Sequence, residues 1–68
     1  MPIGQIIRKR RKELGMTQEE MADFLGVSIP AVSKWENGST LPDIALLSPI
    51  ARLLEISLDQ LLSFRSEL

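Results

Sequence analysis

The sequence predicts an all-α fold of five helices, near positions 2–14, 17–25, 28–36, 44–54 and 57–64 of a 68-residue chain. Three observations carry that prediction. A helix-start signal, a short polar residue preceded by an apolar one, recurs along the chain. Glycines stand where left-handed C-terminal residues belong. No stretch alternates apolar and polar residues for long enough to make a strand.

In the first helix, 100° per residue places Ile3 and Leu14 on the same side as Ile7, with Arg11 inside that arc, and Gly15 marks the stop. The second opens on Thr17 as N-cap with Glu20 three residues on, a capping box, and Met16 and Met21 form the flanking hydrophobic staple. Gly26 ends it. The third has Ser28 as cap and Val27 with Val32 as staple, without the box, and stops at Gly38. The fourth is less tidy. Asp43 can cap a start, but Ser48-Pro49 reads as cap and first helical residue, so a loose first turn is expected over 43–47 and regular helix from there to about Leu54. The fifth repeats the full signal, with Ser57 capping, Gln60 closing the box and Ile56 stapled to Leu61.

Composition narrows the function classes. The 44% apolar content supplies one small domain spanning 1–68, its core built from Leu, Ile, Val, Met and Ala because aromatics are only 4%. There is no cysteine, hence no disulfide or thiolate-metal staple, and a reducing compartment fits. No apolar run approaches the roughly 20 residues of a membrane span, and the N-terminus lacks the apolar core of a signal peptide. A cytoplasmic protein without membrane contact is expected. With no histidine, no cysteine, no phosphate loop and no Gly-x-Ser-x-Gly elbow, the usual bases, nucleophiles and metal ligands are missing. Glu19 and Glu20 point about 100° apart on a helix and cannot share a substrate. An enzyme is therefore not expected, nor a metal or cofactor.

Formal net charge is −1 and the pI about 5.3, so attraction to a polyanion has to come from local arrangement. Five of the eight basic residues cluster as Arg8, Lys9, Arg10, Arg11 and Lys12. Only Gly26 and Val27 separate the second helix from the cap of the third, too few for an antiparallel hairpin but suited to a sharp helix-turn-helix corner over about 17–36. With Val32 inward, Trp35, Ser28 and Glu36 lie toward the core, Ile29 on the border, and Pro30, Ser33, Lys34 and Asn37 opposite. Arg11 and Glu36 would each be costly to desolvate alone, so they are expected to pair across the first and third helices.

Taken together, IRKRRKELGMTQEEMADFLGVSIPAVSKWENGSTLP over 7–42, and ISLDQLL beyond it, resemble the Cro/C1-type helix-turn-helix family, also called the xenobiotic-response-element family. The resemblance covers nearly the whole chain and implies a lambda-repressor-like five-helix fold. It further implies binding of double-stranded DNA by a bacterial or phage-type transcriptional regulator, a repressor, with helix 28–36 in the major groove. Position by position, Gln18 matches the glutamine that contacts phosphate and braces the reading helix. Ser28, Ile29, Pro30 and Lys34 match positions that meet base edges or adjacent phosphates, with Ser33 beside them. Asn37, Ser39 and Thr40 match the loop that grips backbone, and Arg11 with Glu36 the structural ion pair. The departure is Ile29-Pro30, where many relatives carry hydrogen-bonding readers. These two can contact only a thymine methyl, which leaves base discrimination to Lys34, to that apolar contact and to DNA shape.

The C-terminal part is more apolar than one core contact requires. Leu46, Leu47, Ile50, Ala51, Leu53 and Leu54 cover more than one face of the fourth helix, and Leu58, Phe64 and Leu68 add further surplus. The family resemblance implies a homodimer on DNA through this region, with Leu53, Leu58 and Gln60 as candidate interface residues. Two other readings stay open. The apolar end can dock a protein partner, as in antitoxin-like interaction modules, or the chain can be the N-terminal DNA-binding head of a longer regulator, as the abrupt ending FRSEL suggests.

Overall fold

A computed structural model describes residues 3–62. It contains α1 (Ile3–Glu13), α2 (Gln18–Leu25), α3 (Ile29–Glu36), α4 (Ile44–Leu54) and α5 (Leu58–Leu62) in chain order, and no strand among the described residues. The caps explain the starts. Thr17 Oγ1 accepts from the Glu20 N–H at 3.0 Å while Glu20 Oε1 accepts from the Thr17 N–H at 2.9 Å, and Ser57 and Gln60 make the same reciprocal pair at 3.1 and 2.9 Å. Ser28 Oγ accepts from the Ala31 N–H.

At the corner between α2 and α3, Gly26 adopts φ 73°, a left-handed residue that lets its own N–H and that of Val27 close on the last carbonyls of α2. Two residues turn the chain sharply enough for Val32 and Trp35 to pack beside Met21 and Ala22. The core is completed from α1 by Ile3 and Ile7, from α4 by Ile50, Ala51 and Leu54, and from α5 by Leu61. α1 therefore packs against α3, α4 and α5 at once, and it forms the platform behind the helix-turn-helix.

The fourth helix differs from the expectation. It is regular from Ile44, capped by Asp43, whose Oδ1 accepts from the Ala45 N–H at 2.8 Å, and Pro49 lies inside it rather than in its first turn. A proline there removes the bond to the Ala45 carbonyl, but Ala45 is exposed and water can satisfy that group, while Ile50, Ala51 and Leu54 gain a continuous buried face. The same helix ends on Glu55 in a left-handed conformation, φ 62°, a position without a glycine signal. The expected continuation of α5 to residue 64, with Phe64 and Leu68, falls outside the described residues. No helix among those described is long and apolar enough to cross a membrane.

Candidate nucleic-acid interface

The outer edge of α3 is built by its own periodicity. Val32 and Trp35 turn inward and are buried, which leaves Ile29 (44% exposed), Pro30 and Lys34 on the solvent side with Asn37 following. Ser28 is also exposed, because a capping residue sits outside the helical register that placed it toward the core. Ser33 is only half-exposed and edges a depression instead of projecting from the ridge. Beyond the helix, Asn37 Oδ1 accepts from the Ser39 N–H at 2.9 Å, and the N–H groups of Ser39 and Thr40 both close on the Lys34 carbonyl. This holds the exposed turn of Asn37, Ser39 and Thr40 directly under Lys34.

Behind that ridge Arg11 and Glu36 meet as a bidentate pair. Arg11 Nε and Nη2 donate to the two Glu36 carboxylate oxygens at 2.7 and 3.1 Å, and Nη1 donates to the Met16 carbonyl at 2.7 Å. The two side chains are 10% and 4% exposed, so the first helix, the turn after it and the end of the reading helix are tied together out of water. Gln18 Nε2 adds a bond to Glu36 Oε1 at 3.1 Å, which brings the start of α2 into the same cluster. Burial alone pushes the Glu36 carboxyl up. The hydrogen bonds from Arg11 and Gln18 and the charges of Arg11 and Arg8 outweigh it, and the group sits below its ordinary range. Among the described residues no buried side-chain polar atom lacks a partner.

In front of this cluster lies a depression of about 290 Å³ lined by Arg8, Lys12, Gln18, Ser33 and Asn37. With Arg11 neutralised by Glu36, its free positive charges are Arg8 and Lys12, one helical turn apart on α1. Sequence reasoning left these two undistinguished from Lys9 and Arg10. Arg10 serves the scaffold: its Nε donates to the Leu54 carbonyl at 3.0 Å and its Nη1 to Glu13 at 2.9 Å. The helical count held a signal for this, because Arg10 lies about 60° from Ile7, on the side of Ile3.

At the other end, Leu58 is 42% exposed at the start of α5, and Gln60 is exposed with its Oε1 engaged in the cap. Leu53 is half-buried and lines a separate groove of about 410 Å³ with Leu14, Met16 and Phe24. Neither Leu58 nor Gln60 lines that groove. Among the described residues no group of three or more acidic side chains is placed to hold a metal ion.

Comparison with known proteins gives a consistent set. A family model described as helix-turn-helix matches residues 7–61. The cryptic phage CTXphi transcriptional repressor RstR of Vibrio cholerae is 41% identical over 61 residues, 90% of this chain and 54% of that protein. The uncharacterized HTH-type transcriptional regulator YqaE of Bacillus subtilis is 43% identical over 60 residues, 88% of this chain and 52% of that protein. The chain thus spans about half the length of the curated relatives it matches. Among solved structures, the P22 c2 repressor in complex with a synthetic operator is similar with a TM-score of 0.83 and 36% identity, covering 90% of this chain and 92% of that one.

Proposed function

The chain belongs to the Cro/C1-type helix-turn-helix family, and from that premise we propose that it binds specific double-stranded DNA as a transcriptional repressor, with α3 in the major groove. The relatives named above are transcription regulators, and the c2 repressor is seen in complex with a synthetic operator. One observation carries the reading for this chain. Ile29, Pro30 and Lys34 are exposed together on α3, beside a depression whose free charges, Arg8 and Lys12, are both positive.

The roles divide by chemistry. Lys34 donates to guanine O6 and N7, and Ile29 and Pro30 lie against thymine methyls. Arg8, Lys12, Gln18, Ser28, Ser33, Asn37, Ser39 and Thr40 hold the sugar-phosphate backbone on either side, which sets register and carries no sequence information. Arg11 and Glu36 keep the reading helix at its angle to α1. The acidic side chains of residues 43–62 belong to the side turned away from phosphate. The regulator acts in the cytoplasm as a homodimer, Leu58 and Gln60 of each copy meeting near the two-fold axis with Leu53 alongside, so that two reading helices stand about one DNA turn apart. A longer protein carrying this chain as its DNA-binding part fits the length of these two relatives.

Selection of bound sequences from a random duplex pool, followed by fluorescence anisotropy across a salt series, tests this. Enriched half-sites about 10 bp apart are expected, with affinity falling as salt rises. Two phosphate-facing cations per copy, Arg8 and Lys12, give a log–log slope of about −2 per protomer. No enrichment and no anisotropy change at low salt would remove the reading.

A second reading has its own observation. Leu41 and Ile44, 67% and 83% exposed, rim an apolar groove of about 230 Å³ with Ile3, Pro42, Leu47 and Leu62, a surface suited to a protein partner. Tight partner binding without measurable DNA affinity would favour an antitoxin-like interaction module instead.

A further inference from the structure

Gly4 is buried in the first turn of α1, where a glycine weakens a helix relative to alanine. Its φ is not in the left-handed region, so backbone conformation does not demand it. Distance does. A Cβ at this position would overlap the carbonyl oxygen of Trp35 and lie 3.0 Å from the Trp35 carbonyl carbon and 3.2 Å from Glu36 Cα. All three atoms are backbone, and no change of rotamer relieves the collision.

Those atoms anchor the turn that follows the reading helix. The Trp35 carbonyl accepts from the Gly38 N–H at 3.2 Å, and the carbonyl before it, on Lys34, accepts from Ser39 and Thr40. Glu36 is gripped at both ends, its Cα against Gly4 and its carboxylate by Arg11, which lies seven residues on and on the same side of α1.

We propose that Gly4 is a positioning residue for sequence reading: its missing side chain sets how deeply α1 seats against the last turn of α3, and thereby where Lys34 and the 37–40 turn stand in the groove. The inference rests on the DNA-binding reading above. Base-edge hydrogen bonds tolerate displacement poorly, because they weaken steeply away from their short distances and near-linear angles, whereas phosphate attraction is long-range. Moving α3 outward should therefore cost recognition of sequence more than attachment to DNA.

The test compares wild type, Gly4→Ala and Ile3→Ala on a duplex that the wild type has selected from a random pool and on a scrambled duplex of equal length. All are measured at a temperature where circular dichroism shows them folded. Gly4→Ala should bind the selected duplex at least tenfold more weakly and the scrambled one within threefold of wild type, with amide chemical shifts moved at residues 34–40. Ile3→Ala, which leaves a cavity in the same turn without pushing on α3, should stay within threefold on both. Wild-type affinity for the selected duplex in folded Gly4→Ala, or shifts confined to residues 3–8, would overturn the proposal. A Gly4→Ala variant that is unfolded at every temperature, while Ile3→Ala folds, would assign Gly4 to stability and not to positioning, and overturns the proposal as well. A wild type that selects no duplex at all strikes the DNA-binding reading, a distinguishable outcome.

Discussion

Glu36→Gln removes one charge and almost no volume at the point where α1, α2 and α3 converge. In the native pair Arg11 places Nε and Nη2 on the two carboxylate oxygens and Gln18 donates to one of them, with only 4% of the Glu36 side chain exposed. A glutamine keeps only one accepting oxygen, so the donors served by the other carboxylate oxygen lose their acceptor. Its NH₂ then faces N–H groups, and the Arg11 charge stays buried without a counterion. Removing one partner of a buried pair typically costs about 3–5 kcal/mol. Because Arg11 keeps its bond to the Met16 carbonyl, the lower end, about 3 kcal/mol, is expected. A chain of 68 residues commands about 3–10 kcal/mol in total, so the variant should sit near the edge of folding. Urea unfolding followed by Trp35 fluorescence reads it directly, since Trp35 is the single tryptophan, is buried and adjoins the pair. A cycle with Arg11→Met should return a coupling of about 2 kcal/mol or more. A loss below about 1 kcal/mol, the range of exposed pairs, would show instead that water reaches the pair in solution.

Four further outcomes follow from the same structure. The Glu36 carboxyl is held below its usual value near 4.5, and a group lowered on folding stabilises fully above its unfolded pKa and loses that contribution as pH falls through the folded one. Urea midpoints of the wild type should therefore drop more steeply below pH 4.5 than those of Glu36→Gln. Lys34→Ala should cost about 1–3 kcal/mol on a selected duplex and far less on a scrambled one, whereas equal losses in anisotropy would show that Lys34 holds phosphate. Glu55→Gly should raise stability by about 1 kcal/mol in thermal unfolding, since it relieves a left-handed non-glycine residue and loses only a 4.0 Å contact of an exposed carboxylate with Arg10. Leu58→Glu should leave a single half-site bound and abolish the two-site complex in gel shift, and an undiminished two-site complex would place the dimer contact elsewhere.

Much of the fold was legible because the signals that set it are local. Thr17 with Glu20 and Ser57 with Gln60 bond within one turn, and a glycine after Leu25 answers a conformational demand that neighbouring residues impose. The Arg11–Glu36 pair was legible for another reason, since two charges on inward faces have few alternatives to each other. What was not legible depended on the rest of the molecule. Pro49 looked like a helix start by its own chemistry, but the buried face of Ile50, Ala51 and Leu54 decided for an uninterrupted helix. Glu55 carries no mark of its left-handed backbone, which follows from where α4 must stop for Ile56 to pack. Within the candidate site, the exposed edge of α3 followed from its period. The same count turns Arg10 toward the core, but the selection of Arg8 and Lys12 over Lys9 did not follow from it, because it depends on where α2 and α3 lie relative to α1.

Intermolecular proton contacts in the complex with a selected duplex would report most directly whether α3 lies in the major groove. Methyl and ring protons of Ile29 and Pro30 should show nuclear Overhauser effects to thymine methyls, and Lys34 side-chain protons should approach the major-groove edge of a guanine. A saturated complex in which these side chains show no contact with bases, while residues of α4 or α5 do, would contradict the account.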